Sequence, residues 1–324
     1  MGTPVIDRAE ELVVAAWTWL HAAVFETVVQ PVVVWLGMLP WLEQAYDATE
    51  IFLIGAVELV VLALVFGALE RWRPVETWRD RSPIRVDVLY TALVRLGVLP
   101  LGIFFLLLPL IDGLNGWLRL QGFIPPKPED LFPALAANPL ASFLVYLVIL
   151  DFVAYWVHRF QHGWPRWWAL HALHHSQREM TFWADDRNHL LDMVFVAVAF
   201  AFVALLIGVP PGQFVAVVVV TRVLESLAHA NVRLSFGRWI GDWVLVSPRF
   251  HRVHHAIGEG HEGASRGHNF AVLFPIWDQI FRTASRETNY PPTGIRDQLE
   301  GREYGRGFWR QQWLGLQRFV KGEA

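Results

Sequence analysis

The chain has 324 residues, of which 54% are hydrophobic and only 18% charged, with a formal net charge of −3 and 17 tryptophans. This composition excludes an ordinary soluble domain and is typical of a membrane protein. The sequence contains no cysteine, which excludes disulfides, thiolate-held iron–sulfur clusters and cysteine-type zinc sites.

Apolar stretches near the length of about 20 residues that crosses a bilayer predict membrane helices along most of the chain. They are 51–69, 88–111, 140–157, 193–209 and 214–228. An earlier stretch, 12–39, is interrupted by His21, Glu26 and Pro31, and we interpret it as a membrane-associated helix that is either interfacial or spanning. The predicted fold class is therefore all-α, a polytopic bundle of about 4–6 membrane helices.

Basic residues collect on one side of these spans. Arginines are frequent between Arg71 and Arg85 and again after residue 228, whereas the linkers 40–50 and 210–213 contain neither lysine nor arginine. By the positive-inside rule the basic segments face the cytoplasm. Following the spans in order places the loop 112–139 outside. We therefore expect an integral multi-pass protein of a bacterial inner membrane or an ER-like membrane, with its C-terminus cytoplasmic.

Three histidine clusters with the sequences HRFQH, HALHH and HRVHH hold eight of the 13 histidines. They contain His158 and His162; His171, His174 and His175; and His251, His254 and His255. Side chains three and four residues apart share one face of a helix. Since a zinc site takes about four ligands, eight imidazoles imply at least two metal ions. Imidazole binds iron, zinc, copper and nickel, so the ligand type alone does not identify the metal.

The Pro210-Pro211-Gly212 sequence predicts a tight turn, which makes 193–228 a helical hairpin and returns His229 to the side of the clusters. We therefore expect His229 to be a further metal ligand. Glu225, one helical turn before His229, is either a carboxylate ligand or the partner of Arg222.

Polar residues beside the histidines are candidates for orienting them. Asp151 and Tyr155 lie in a polar stripe with His158, and we expect Asp151 to accept a hydrogen bond that fixes a histidine tautomer, or else to make a polar contact between helices. His189 and His268 are each either a ligand or an outer hydrogen-bonding residue. All the clusters are predicted to lie on the cytoplasmic side, in a His-rich helical cap.

The string DFVAYWVHRFQH, followed by HALHH, the hairpin and HRVHH, resembles the membrane di-iron superfamily of fatty acid hydroxylases and sterol desaturases. The resemblance covers Asp151 to Thr283. Within it RNHLLD, HAN and HNFAVLFPIWDQIFRT also resemble family segments in the expected order, and the HAN segment adds Asn231 to the residues expected to support the ligands. Family members commonly have NFG and FGT, where this chain has NFA at 269–271 and FRT at 281–283.

The resemblance implies two iron ions bound by histidine that activate O2 to attack an unactivated C–H bond of a lipid drawn from the bilayer. A sterol, a fatty acyl chain, an ether lipid and a carotenoid all stay open as substrates, as do hydroxylation and desaturation. The chain has no flavin, dinucleotide or haem motif, so we expect electrons from a separate ferredoxin- or cytochrome-type partner. The arginines either dock that carrier or only set topology. No nucleic-acid partner is expected.

Other metalloproteins fit less well. The HExxH motif of a metalloprotease is absent at His261-Glu262. A metal transporter would need polar residues through the membrane midplane, and it is the alternative function, together with a zinc-loaded family member that lacks oxygenase activity. The pattern divides the chain into an N-terminal membrane-associated region 1–50, a transmembrane pair with its loop at 51–139, a di-metal catalytic region 140–285 and a cytoplasmic tail 286–324.

Overall fold

The computed structural model describes residues 4–78, 80–258 and 267–322. Arg79 and His261 lie outside the described residues. Across the described ranges the chain is helical and has no β-strand, apart from one isolated antiparallel bridge between Ala256 and Thr293. The prediction of an all-α fold is confirmed.

The chain forms a succession of helices joined by turns and loops. The first half contains α1 Pro4–Val24, α2 Gln30–Trp35, α3 Leu42–Val61, α4 Gly67–Trp72, α5 Ile84–Arg95, α6 Val98–Leu120, α7 Pro128–Leu131 and α8 Pro133–Ala136. The second half contains α9 Pro139–Gly163, α10 Pro165–His175, α11 Leu190–Leu206, α12 Pro211–His229, α13 Gly237–Trp239, α14 Pro248–His254, α15 Ile276–Ile280 and α16 Phe308–Lys321. Single π turns lie at Phe25–Val29, Leu62–Phe66 and Ile240–Val244.

Five helical segments of the described chain are long and apolar enough to cross a membrane: Glu11–Trp35, Leu39–Trp72, Val98–Leu120, Pro139–Gly163 and Pro211–His229. This agrees with the predicted range of spans. The first segment stays helical past Glu26 because the π turn at Phe25–Val29 precedes Pro31, which lies in the first turn of α2, where its missing N–H costs nothing.

Three predicted boundaries are wrong. The single span at 88–111 is two helices, because the chain turns at Gly97, whose φ of 81° lies in the left-handed region, and the apolar composition continues across the turn. The linker 40–50 is instead helical from Leu42 onward, and α6 extends to Leu120 into the predicted loop. Hydropathy alone detects neither a turn between apolar residues nor a polar helix end.

One compact unit comprises residues up to Val61 together with Ala92–Gly102. Within it a buried ion pair joins Arg95 to Glu58 at 3.4 Å, and Gly55 lies directly against the carbonyl of Arg95, where a side chain would collide. His21 is buried and its Nε2 lies 2.9 Å from the carbonyl oxygen of Tyr46. These polar contacts satisfy groups that are costly to bury alone.

The second unit comprises Leu62–Thr91 and Ile103–Ala324. The predicted short connection between these two helices is confirmed, since α11 ends at Leu206 and α12 begins at Pro211. Of the two, α12 is among the five candidate spans, whereas α11, predicted as a span at 193–209, is a shorter apolar helix. A buried core that includes Tyr146, Leu150 and Val217 joins α9 to α12. The region predicted as a tail contains α16, which packs against α10 with Gln311 and Gln312 buried. These helices form the frame that carries the histidines.

Candidate metal centre

Four helices supply the histidines, and each begins with a proline: Pro139 in α9, Pro165 in α10, Pro211 in α12 and Pro248 in α14. Proline fits the first helical turn because no helical partner awaits its N–H there. Side-chain caps fix two of these starts. Asn138 accepts a hydrogen bond from the Ala141 amide at 3.1 Å, and Ser247 accepts one from the Phe250 amide at 3.2 Å.

The structure brings nine of the predicted histidines together, all of them buried, in two groups of four and one linking histidine. Cluster A contains His158, His162, His171 and His175, and cluster B contains His174, His229, His251 and His255. Within each cluster the potential ligand atoms lie within 4.8 Å of one another. His254 groups with His175 and His255, between the two clusters.

Adjacent histidines allow one short sequence motif to supply ligands to both clusters. In α10, His171 and His175 are one turn apart and point into cluster A, while the adjacent His174 points into cluster B. The α14 segment is the reverse, since His251 and His255 belong to cluster B. Neighbouring helical residues point about 100° apart. The clusters are therefore adjacent, and the rings of His175 and His255 stack with centroids 4.1 Å apart.

Nitrogen atoms face one another inside cluster B. His229 Nε2 lies 3.1 Å from His174 Nε2 and 2.9 Å from His251 Nε2, and His251 Nε2 lies 3.1 Å from His255 Nε2. Lone pairs that converge in this way repel one another unless a proton or a cation lies between them. The donor set of neutral imidazoles fits a first-row transition-metal ion.

Unpaired buried nitrogens support the same conclusion. Among the described residues, His171 Nε2 and His254 Nε2 are buried with no hydrogen-bond partner, a condition that is costly for a polar atom. On each ring the other nitrogen, Nδ1, is hydrogen-bonded: His171 to Asp192 at 3.2 Å and His254 to the carbonyl of His268 at 2.7 Å. Such a bond fixes the tautomer and leaves Nε2 as a metal ligand. The residues therefore fit two metal ions.

Two more ligand candidates are oriented by backbone carbonyls. His158 Nδ1 donates to the carbonyl of Phe270 at 2.8 Å. His229 Nδ1 lies 2.8 Å from the carbonyl of Glu225 and 3.5 Å from Asp185 Oδ1. Backbone acceptors of this kind orient a ring without adding a mobile charge.

Burial keeps four of the clustered imidazoles neutral. The pKa values of His174, His251, His254 and His255 are held well below 6.5, first by burial and then by the charges of neighbouring histidines. Neutral imidazole is the form that binds a metal. The site is therefore ligand-competent at neutral pH.

The prediction that Asp151 fixes a histidine tautomer is wrong. Its carboxylate instead accepts hydrogen bonds from the amides of Leu273 and Phe274, at 2.8 and 3.1 Å, and from Trp277 Nε1 at 2.8 Å. A carboxylate satisfies several convergent N–H groups at once. Asp151 thus anchors the segment that follows Phe270, whose carbonyl orients His158.

The other predicted supporting residues also contact the surroundings of the clusters instead of their rings. Tyr155 is buried, and its hydroxyl lies 2.9 Å from Thr283 Oγ1. Asn231 Oδ1 accepts from the Val75 and Glu76 amides at 3.2 and 3.1 Å, which ties the residue after α12 to the segment after α4. The carboxylate of Glu225 belongs to none of the metal-binding groups found in the described chain; its backbone carbonyl contacts His229.

His189 and His268 lie outside the metal-binding groups of the described residues. His189 is not a ligand, because both ring nitrogens are used: Nδ1 accepts from the Leu191 amide at 3.1 Å and caps α11, and Nε2 donates to the Gln312 carbonyl at 2.7 Å. His268 acts through its carbonyl, which orients His254. For both, the outer hydrogen-bonding alternative agrees with the structure.

Three aspartates with supporting roles were missed by sequence reasoning. Asp192 contacts His171, Asp185 lies beside His229, and Asp278 accepts from the Phe270 and Ala271 amides at 2.9 and 2.7 Å. Burial raises the pKa of Asp278 to about 6. For Asp278 the available signal was an acidic residue in a segment otherwise rich in apolar residues, FPIWDQIF.

Comparison with known proteins agrees with this site. Residues 143–283 match the family described as fatty acid hydroxylase. This range contains all nine clustered histidines. No solved structure matches the chain.

Three similar proteins illustrate the range of named activities. The chain is 32% identical to ornithine lipid hydroxylase OlsE of Rhizobium tropici over 42% of this chain and 40% of that protein. It is 28% identical to alkylglycerol monooxygenase of Homo sapiens, over 45% of this chain and 31% of the relative. It is 24% identical to the very-long-chain aldehyde decarbonylase GL1-10 of Oryza sativa subsp. japonica, over 44% of this chain and 46% of that protein. The chain spans less than half the length of each.

Proposed function

We propose that this chain, whose residues 143–283 match the fatty acid hydroxylase family, is an integral membrane di-iron oxygenase that oxidises a C–H bond of a lipid. The observation that carries the proposal is the pair of adjacent, buried, four-histidine clusters on shared helices. The names of the similar proteins, a lipid hydroxylase and an alkylglycerol monooxygenase among them, support a lipid substrate.

Cluster A would hold one iron ion and cluster B the other, with His254 between the two clusters. Bound iron supplies the reduction of O2 that makes attack on an unactivated C–H bond possible. The overall hydroxylation takes O2, two electrons, two protons and the substrate C–H, and it yields an alcohol and water. Two electrons must enter from outside, and we propose a separate ferredoxin- or cytochrome-type donor.

The protein's own contribution is orientation and exclusion of water. Asp192 and the carbonyls of Phe270 and His268 fix three imidazole rings, so the ligand atoms are positioned before a metal binds. Burial of all nine rings excludes solvent from the centre, which protects a reactive oxidant from side reactions. Candidate spans α9 and α12 carry His158, His162 and His229, which favours substrate entry from the bilayer.

We also propose that the clusters and the C-terminus face the cytoplasm, in a bacterial inner membrane or an ER-like membrane. The supporting observation is the excess of arginine between Arg71 and Arg85 and after residue 228. Accessibility of single introduced cysteines to a membrane-impermeant thiol reagent tests the orientation, since the chain has no native cysteine.

The function is tested by metal analysis and oxygen consumption of the purified protein with a reductant and a lipid extract. We expect two irons per chain, and oxygenated lipid only when reductant and O2 are both present. His174→Gln should lower the iron content and abolish turnover. The matched control His21→Gln should keep both, because His21 belongs to none of the metal-binding groups of the described residues and its Nε2 contacts the Tyr46 carbonyl. A single labile zinc with no oxygen consumption would refute the proposal.

A further inference from the structure

A cavity of about 250 Å³ lies between α4, the start of α5 and the short helical turn at Phe182–Ala184. Three arginines line it: Arg71, Arg81 and Arg85. None of its lining residues belongs to a histidine cluster. The cavity therefore needs an explanation other than the metal centre.

The lining changes from apolar to basic along one helical stretch. Ala63, Gly67 and Arg71 line the cavity at intervals of four residues and so share one helical face. Ala63 lies in the π turn Leu62–Phe66 that precedes α4, about two helical turns before Arg71. Arg71 lies in the last turn of the candidate span Leu39–Trp72, and Ala63 lies deeper within it. The basic end thus coincides with the end of the span.

The lining residues outside this helical stretch also form an apolar part and a basic part. Ile84 and Phe182 are buried apolar side chains that line the cavity together with Val88. Arg81 and Arg85 are exposed. A ligand that fills this space has an apolar part against Ile84 and Phe182 and an anionic part among the arginines.

The cavity is electropositive although Glu70 also lines it. Glu70 Oε1 already accepts hydrogen bonds from the amides of Phe182 and Asn231, at 3.0 and 2.9 Å. Arg71 donates to the carbonyl of Gly67 at 2.9 Å. One carboxylate, held by backbone amides, lines the cavity together with three arginines, so the lining carries an excess of positive charge.

We propose that this cavity binds the phosphate of an anionic membrane lipid, with part of an acyl chain against its apolar wall. Guanidinium groups bind phosphate oxygens through charge-assisted hydrogen bonds, and basic pockets between helices at the cytoplasmic membrane surface suit anionic headgroups. The apolar end and its depth in the span favour a lipid over a soluble anion. This proposal does not depend on the oxygenase activity.

The test is native mass spectrometry of the full-length protein in mild detergent, titrated with phosphatidylglycerol, phosphatidylcholine or inorganic phosphate. The variant Arg71→Gln/Arg81→Gln/Arg85→Gln removes the basic lining. The control Arg119→Gln/Arg238→Gln/Arg286→Gln removes as many charges at other exposed positions. Val88→Trp fills the cavity and leaves its charge unchanged. Metal content serves as a check of folding in each variant.

We expect wild type to retain phosphatidylglycerol in preference to phosphatidylcholine. The cavity triple variant should weaken phosphatidylglycerol retention at least about tenfold, Val88→Trp should also weaken it, and the control triple should behave as wild type. Equal loss in both triple variants, full retention by Val88→Trp, or no preference for the anionic lipid would overturn the proposal. Displacement of the lipid by an equal concentration of inorganic phosphate would identify a soluble-anion site and overturn it as well.

Discussion

Asp192 illustrates how one buried side chain connects several elements to the metal centre. It accepts hydrogen bonds from Gln161 at 2.8 Å, Trp167 at 2.6 Å and His171 at 3.2 Å. Since Gln161 precedes His162 and Trp167 lies one turn before His171, the carboxylate fixes the α9–α10 corner as well as one ring. Carboxylates in this position raise the basicity of a ligand and hold its orientation.

Asp192→Asn should therefore lower metal affinity about 10- to 100-fold, because an amide is a weaker acceptor for His171 Nδ1. Competition with a chelator of known affinity measures the change, and circular dichroism checks that the helices persist. Asp80→Asn is the matched control, because Asp80 is exposed and its carboxylate accepts hydrogen bonds from Ser82, far from the clusters in the sequence. Unchanged metal affinity in Asp192→Asn would show that Asp192 does not orient a ligand.

Arg282 occupies a backbone conformation that favours glycine. Its φ of 58° is left-handed, and it stands where members of the resembled superfamily commonly have the glycine of FGT. For an L-residue this conformation costs about 1–2 kcal/mol, part of which returns as the higher chain entropy of glycine in the unfolded state.

We expect Arg282→Gly to raise the free energy of unfolding by up to about 1 kcal/mol, seen as a higher thermal midpoint in detergent. Arg286→Gly is the control, because Arg286 is exposed and is not among the residues with positive φ; it should leave the midpoint unchanged or lower it. A lower midpoint for Arg282→Gly would mean that the arginine side chain stabilises the turn.

Among the elements, α16 packs against the ligand-bearing helix α10. Tyr304, just before α16, donates to the carbonyl of Ala169 at 2.6 Å, and the Gln312 carbonyl accepts from His189. Gly315 allows this approach, because a Cβ there would lie 2.6 Å from His189 Cδ2 and 3.1 Å from Tyr304 Oη.

Gly315→Ala should consequently push α16 away from His189 and Tyr304 and lower the free energy of unfolding by about 1–3 kcal/mol, despite the better helix propensity of alanine. Gly116→Ala in α6 meets nothing within 4 Å and should stabilise the protein by up to about 1 kcal/mol. Chemical denaturation in detergent measures both. If Gly315→Ala raises the free energy of unfolding as Gly116→Ala does, the close contact at Gly315 does not limit how α16 packs.

At the scale of the whole molecule, short-range periodicity was sufficient to predict which histidines gather at the site, but not their division into clusters A and B. The spacing within HALHH and HRVHH determines which side chains share a helical face, and the Pro-Pro-Gly turn determines where His229 returns. Contacts across long sequence separations were not accessible in this way. Asp151 lies in the same polar stripe of α9 as His158, yet its carboxylate accepts hydrogen bonds from Leu273 and Trp277. Which of these partners it contacts depends on how the chain after α14 packs against α9.

The break at Gly97 has a related cause. Residues on both sides of it are apolar, so the hydrophobic pattern continues although the helix does not. Asp192 and Asp278 were likewise invisible as supporting residues because their roles depend on partners in other helices. Helix type and ligand spacing are thus local properties, whereas the orientation of the ligands is a property of the assembled molecule.

The assembled molecule should also respond to pH through its buried histidines. Burial holds the pKa values of His174, His251, His254 and His255 well below 6.5 in the folded chain. As the pH falls below about 6.5, the ordinary histidine pKa, the unfolded chain binds protons that the folded chain does not. The unfolded state is then favoured, so the free energy of unfolding decreases toward acid.

We therefore expect the thermal midpoint of the metal-free protein to be constant above about pH 7 and to fall progressively as the pH is lowered from about 6.5 toward 5. The metal-loaded protein should show the same direction with a higher midpoint at neutral pH, because metal binds the folded, neutral imidazoles. His255→Gln should make the acid slope of the metal-free protein shallower, since one group that titrates only on unfolding is gone. A midpoint that stays level or rises between about pH 6.5 and 5 would contradict neutral, buried imidazoles in cluster B and at His254.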